Sequence, residues 1–143
     1  MNSPMVAASP HTPIDLDWVN GLTFEAGRPN GPKVRIDGDA QNAPSPFDLL
    51  LAAVASCASV DVVTILNKQR TPVQSLSVRV EAMRVESVPR HLAAANLHFR
   101  ITAPGATLEK AQRAVELSVN KYCSVRSSLD TEVPVTWTLE LNG

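Results

Sequence analysis

Residues Ser45 to Arg70 read SPFDLLLAAVASCASVDVVTILNKQR. From Leu49 to Leu66 the run is apolar almost without a break, and Cys57 and Asp61 are the two groups inside it that carry chemistry. Ser45-Pro46 can open a helix, because proline lacks an N–H that the first turn leaves unpaired anyway. Thr71-Pro72 closes the run, so the stretch predicts one long helix ending near Gln69. A helix apolar on every side needs apolar cover on every side. A membrane would supply it, but an Asp at bilayer depth is costly, and Ala, Ser and Val outweigh Leu and Phe here. The reading is therefore a buried central helix and no membrane span. One sheet covers one face of such a helix. The rest is most simply covered by a second copy, which predicts an obligate homodimer with two long helices packed inside two sheets.

Outward from the helix the pattern is one of strands. Ile14, Leu16 and Trp18 alternate with Asp15 and Asp17, and Asn20-Gly21 follows as a hairpin signal. Leu22 and Phe24, then Val34 and Ile36, continue a β-meander, and DGDAQNAPSP (Asp37 to Pro46) links it to the helix. Beyond Pro72, Leu76 to Ala82 alternates, Ser87 to Ala94 reads as a turn region, and Leu97, Phe99 and Ile101 form the next strand. Thr107 can cap an amphipathic helix carrying Leu108, Ala111, Val115 and Val119 and ending near Tyr122-Cys123. Ser124 to Leu129 offers one more helical turn, and Val133 to Leu141 alternates as a closing strand. The order βββ-α-ββ-α-β predicts an α+β fold with one largely antiparallel sheet of about six strands. Residues 14–143 form one domain in this reading, after a flexible tail over residues 1–13 that lacks the pattern of a secretory signal.

The chain has 143 residues, enough for a single domain with its own core. A net charge of −1 and the absence of a Lys/Arg stripe exclude nucleic acid as a partner. Two cysteines, Cys57 and Cys123, are too few for a secreted disulfide scaffold, which points to a reducing cytoplasm. There a cysteine pair is either inert core or redox chemistry.

Cys57 and Asp61 stand at i and i+4 and share a helix face. The thiolate is the reactive form, and a bare carboxylate beside it raises the thiol pKa. Asp61 helps only by holding a cation or a donor; Arg84, Arg90, Lys121 and Arg126 are candidates. Cys123, in KYCSV, lies at a helix junction where amides from Ser124 onward could stabilise a thiolate. Inert packing is the competing reading for each thiol alone. His11, His91 and His98 show no metal-ligand spacing, and no cofactor motif occurs, so neither metal nor cofactor is expected.

SPFDLLLAAVASCASVDVVTIL (Ser45 to Leu66) resembles the long-helix motif of the OsmC/Ohr family, and VNKYCSV (Val119 to Val125) resembles its second cysteine motif. DWVNGLTFEA and NLHFRITAPG resemble family strands, particularly those of the YhfA-like branch; the resemblance covers about residues 14 to 141. It implies an OsmC-like intertwined homodimer with antiparallel sheets wrapped around long central helices. It also implies thiol-dependent reduction of organic hydroperoxides, an oxidative-stress function. Cys57 would be the peroxidatic thiolate and Cys123 the resolving thiol, with a dithiol reductant, lipoyl-type in some relatives, completing the cycle. Active branches place a Glu directly after the helix-opening Pro and an Arg in an N-terminal loop. Here Phe47 stands after Pro46, Asp48 is the nearest acid, and NGLTFEAG has no Arg. Activity is then weak, supported differently or absent, with Asp48, Asp61 and Arg126 as candidate supporting residues. The alternatives are a non-catalytic dimer holding a small apolar ligand and a redox sensor.

Overall fold

A computed structural model of the chain describes residues 6–143, which fall into two compact units meeting at Leu49/Leu50. The expected tail lies partly outside the described residues. Residues 6–14 hold no regular element and are exposed.

The first unit carries β1 (Asp15–Asn20), β2 (Thr23–Gly27) and β3 (Val34–Asp37) as an antiparallel three-stranded sheet in the order β1-β2-β3. Asn20-Gly21 forms the expected turn. Gly21 takes φ +51, a left-handed conformation that costs glycine little, and its carbonyl accepts from Trp18 Nε1 at 2.9 Å. Ile14, Leu16 and Trp18 are all exposed. At the end of β3 the Asp37 carboxylate, buried, accepts the amides of Asp39, Gln41 and Asn42 and so shapes the loop toward the helix. The Asn42 amide is the chief reason its pKa lies below the usual carboxylate value.

Helix α1 (Pro46–Lys68) opens with a reciprocal cap: Ser45 N–H donates to Asp48 Oδ2 at 2.9 Å, and Asp48 N–H donates to Ser45 Oγ at 3.1 Å. This is the capping box, with Asp in the place of Glu or Gln. From Leu50 onward α1 belongs to the second unit, which it enters with Val54, Ala58, Val62 and Leu66 buried in one stripe at intervals of four. By length and composition α1 could cross a membrane, but this stripe is the helical wall of the chain's own core.

The other wall is a separate sheet in the order β4-β5-β6, made of β4 (Ser75–Arg84), β5 (Leu92–Thr102) and β6 (Val135–Leu141). The expectation of one sheet of about six strands is thus corrected to two sheets of three. The β5–β6 pair is parallel, from Ala95↔Val135 to Ile101↔Leu141, whereas every other pairing is antiparallel. A parallel neighbour needs a crossover of a dozen residues or more. Here the crossover contains α2 (Leu108–Leu117), a π-helical turn (Ser118–Tyr122) and α3 (Ser124–Ser127). Strand β5 also starts earlier than its pattern suggests, at Leu92. Ala94 and Ala95 pair with Met83 and Ala82, and alanine is a weak strand signal that hides those positions.

Leu97, Phe99 and Ile101 point into the core, while His98 and Arg100 reach Glu140 on the outer face. Thr107 caps α2, accepting from Lys110 N–H at 3.2 Å, and Ala114, Val115 and Val119 close the core from that side.

Candidate active site

Two elements deliver the thiols. Cys57 lies one residue before Ala58 on α1, about 100° around from the buried stripe, and is half-buried. Cys123 follows the π-helical turn and caps α3, itself buried at 3% exposure. The sequence reading continued an α-helix to Tyr122. The wider π turn replaces its end, a distortion frequent at functional sites. It leaves Cys123 with φ −70 and ψ 103, an extended conformation that starts the next short helix.

The two thiols meet around Ser124. Cys57 Sγ lies 3.6 Å from Ser124 Oγ, Cys123 Sγ accepts from Arg126 N–H at 3.3 Å, and the Cys123 thiol faces the Val54 carbonyl at 3.9 Å. The sulfurs also act on each other, and with opposite results. Burial pushes the Cys57 thiol up, but the Val125 amide, the Ser124 hydroxyl, the Cys123 thiol and the Ser124 amide together bring it below an ordinary cysteine. Burial pushes Cys123 up as well; the Arg126 amide opposes this, the Cys57 sulfur reinforces it, and Cys123 ends above the ordinary value. Of the two, Cys57 is the thiol that its surroundings help to ionise, and Cys123 the one that burial opposes.

The support for Cys57 comes from hydrogen-bond donors of Ser124 and Val125. The sequence reading assigned such amides to Cys123; in the fold they also serve Cys57, across from them on α1. The signal was present as the SV of KYCSV, but its target lies on another element. Ser124→Ala should raise the Cys57 pKa and slow its alkylation by iodoacetamide roughly two- to tenfold at neutral pH, the value of one lost hydrogen bond. Alkylation at the wild-type rate would show that the hydroxyl does not stabilise the thiolate.

Most of the candidate supporting residues have partners of their own. The Arg126 guanidinium donates to the Asp130 carbonyl at 3.4 Å and the Val133 carbonyl at 2.7 Å, and its backbone N–H is what serves Cys123. Lys121 Nζ sits 5.5 Å from the Tyr122 ring centroid, while Arg84 and Arg90 donate to backbone carbonyls of Arg90 and Val85. Asp61 is half-buried one turn after Cys57, and among the described residues it forms no ion pair with Arg90, Lys121 or Arg126. Asp48 is engaged in the cap of α1. Among the described residues no three His, Cys, Asp or Glu side chains converge as metal ligands.

A family model described as OsmC-like protein matches residues 37–138. The chain belongs to the OsmC-like protein family. Protein YhfA of Escherichia coli strain K12 is 38% identical over 127 residues, covering 88% of this chain and 95% of YhfA. An OsmC-like protein from Mycoplasma pneumoniae superposes with a TM-score of 0.80 at 14% identity, covering 95% of this chain and 100% of that one. The organic hydroperoxide resistance protein OhrB of Bacillus subtilis superposes with a TM-score of 0.59 at 18% identity, covering 90% and 96%. At those identities the two structures carry the fold alone. The α+β, OsmC-like fold implied by the two cysteine motifs is the fold of this chain.

Proposed function

We propose that this OsmC-like protein reduces organic hydroperoxides with Cys57 as the peroxidatic thiolate and Cys123 as the resolving thiol, in the cytoplasm. The observation that carries the reading is the placement of both thiols at one junction, with Cys57 Sγ 3.6 Å from Ser124 Oγ and Cys123 Sγ accepting the Arg126 N–H at 3.3 Å. Solved structures of the same fold are named organic hydroperoxide resistance proteins, which is consistent with that chemistry.

The cycle balances with these groups. The Cys57 thiolate attacks the terminal peroxide oxygen, the O–O bond breaks, and the leaving alkoxide takes a proton to become the alcohol. Cys57 is then a sulfenic acid. Cys123 loses its proton and attacks that sulfur; the S–O bond breaks, hydroxide leaves and is protonated to water, and a Cys57–Cys123 disulfide forms. The raised pKa of Cys123 keeps it out of competition as the first nucleophile. Apolar residues around Cys57 on α1 favour organic peroxides over hydrogen peroxide.

The proposal includes a homodimer. Val60 on α1 is 64% exposed and Trp18 on β1 is 68% exposed in the single chain, and a second copy is the simplest cover for both.

The disulfide step has a direct test. Without reductant, one equivalent of cumene hydroperoxide should remove both free thiols from the wild type. In Cys123→Ser it should leave Cys57 as a sulfenic acid that dimedone traps, detected by mass spectrometry. A wild-type protein that keeps one free thiol per chain after complete reaction would rule out Cys123 as the resolving group.

A further inference from the structure

The donors that serve Cys57 sit on an element too short to hold itself in place. Helix α3 has four residues, Ser124–Ser127, and even a helix of about a dozen residues is marginal in water on its own. Its placement beside α1 must come from attachments outside it. Val125 supplies one by packing against the core. The other is polar. The Arg126 guanidinium donates from Nη2 to the Val133 carbonyl at 2.7 Å and from Nη1 to the Asp130 carbonyl at 3.4 Å. Val133 is buried, and the next residue, Pro134, offers its carbonyl to the Ala95 amide of β5 at 3.0 Å. The Asp130 carbonyl also accepts the Val133 amide at 3.2 Å. Arg126 therefore ties α3 to a loop that is itself rooted in the sheet.

We infer that Arg126 is a positioning residue for Cys57: its guanidinium anchors α3 to the Asp130 and Val133 carbonyls and so keeps the Ser124 and Val125 donors at the Cys57 sulfur. The inference rests on the peroxidase reading for the reaction that Cys57 performs, and deepens it by naming what holds the nucleophile's donors. At 3.6 Å the contact between Ser124 Oγ and Cys57 Sγ has little reach to spare, and a displacement of about 1 Å would break it. The backbone N–H of the same Arg126 donates to Cys123 Sγ at 3.3 Å, so one anchor serves both sulfurs.

Arg126 does not act as a counter-charge. Its guanidinium is engaged by two backbone carbonyls. The groups that favour the Cys57 thiolate are two amides, a hydroxyl and the Cys123 thiol, with no cation among them. The two roles differ in their response to salt, which screens a charge acting at a distance and leaves short neutral hydrogen bonds in place.

The pH profile of Cys57 alkylation by iodoacetamide tests this without peroxide, read by mass spectrometry on the Cys57 peptide of the reduced full-length protein. Arg126→Met keeps an apolar stem and removes the donors. It should move the midpoint to higher pH and slow alkylation about three- to tenfold at neutral pH, with rates converging once the thiol is fully ionised. Arg126→Lys, which can still donate to a carbonyl, should fall between the methionine variant and wild type. In a Ser124→Ala background Arg126→Met should slow alkylation by a smaller factor than it does alone, because part of what it positions is already gone. The wild-type midpoint should stay in place in about 1 M KCl. A wild-type midpoint in Arg126→Met, or in Arg126→Lys where the methionine variant does not fold, would overturn the inference. So would equal slowing by Arg126→Met with and without Ser124, or a salt-induced rise in the wild-type midpoint as large as that of the variant. The expected shifts in a protein whose wild type consumes no cumene hydroperoxide would strike the peroxidase reading alone.

Discussion

Cys57→Ser is expected to lower dithiol-dependent consumption of cumene hydroperoxide by about three orders of magnitude or more, to the background rate. A serine hydroxyl does not ionise near neutral pH, and the donors that lower the Cys57 pKa cannot make it do so. Those donors are weak beside such a gap: hydroxyl and amide hydrogen bonds from Ser124 and Val125, with burial acting against them. In the wild type, the rate should rise with pH as Cys57 ionises, with a midpoint below that of an ordinary protein thiol. The direction follows from the sign of the shift, since a lowered pKa puts the thiolate form at lower pH. Equal peroxide consumption by wild type and Cys57→Ser would end the peroxidase reading. An apolar-ligand or redox-sensing role would then be the better account of the same fold.

The second large effect is on stability. Phe99 is fully buried at the middle of β5, opposite Val78 on β4 and Leu139 on β6. Phe99→Ala should cost about 3–5 kcal/mol, combining the lost transfer of the ring with the cavity it leaves. Its neighbours are held by strand pairing on both sides and by α1, so the space cannot close easily. Urea unfolding followed by circular dichroism, at one fixed protein concentration because association would shift the midpoint, reads the change. A loss below about 1 kcal/mol would mean that this face of β5 is not the packed centre of the core.

Local patterns made much of this protein legible. The apolar run specified α1, and Ser45-Pro46 marked where it opens; the reciprocal cap between Ser45 and Asp48 came only with the structure. The alternation of Leu97, Phe99 and Ile101 with His98 and Arg100 identified both faces of β5, since side chains on a strand change sides at every residue. Asn20-Gly21 announced its turn for the same kind of reason: the left-handed backbone there is a property of the residue itself. The two cysteine motifs were enough to point to the family.

Partnership between distant segments was not legible in that way. Nothing in the strand patterns separates β1-β2-β3 from β4-β5-β6, because alternation states which face is apolar and not which strand lies alongside. The parallel pairing of β6 with β5 depends on the path taken by the crossover, and the π turn in that path has no local pattern of its own.

The composition and periodicity of the chain were sufficient for its elements, its apolar faces and the two sulfurs worth watching, because each depends on neighbours a few residues away. Which donors reach Cys57 and which thiol burial opposes depend on Ser124 and Val125 arriving beside α1. Hydrogen bonds and burial act through space at a few ångströms, and only the folded path of the chain sets those separations.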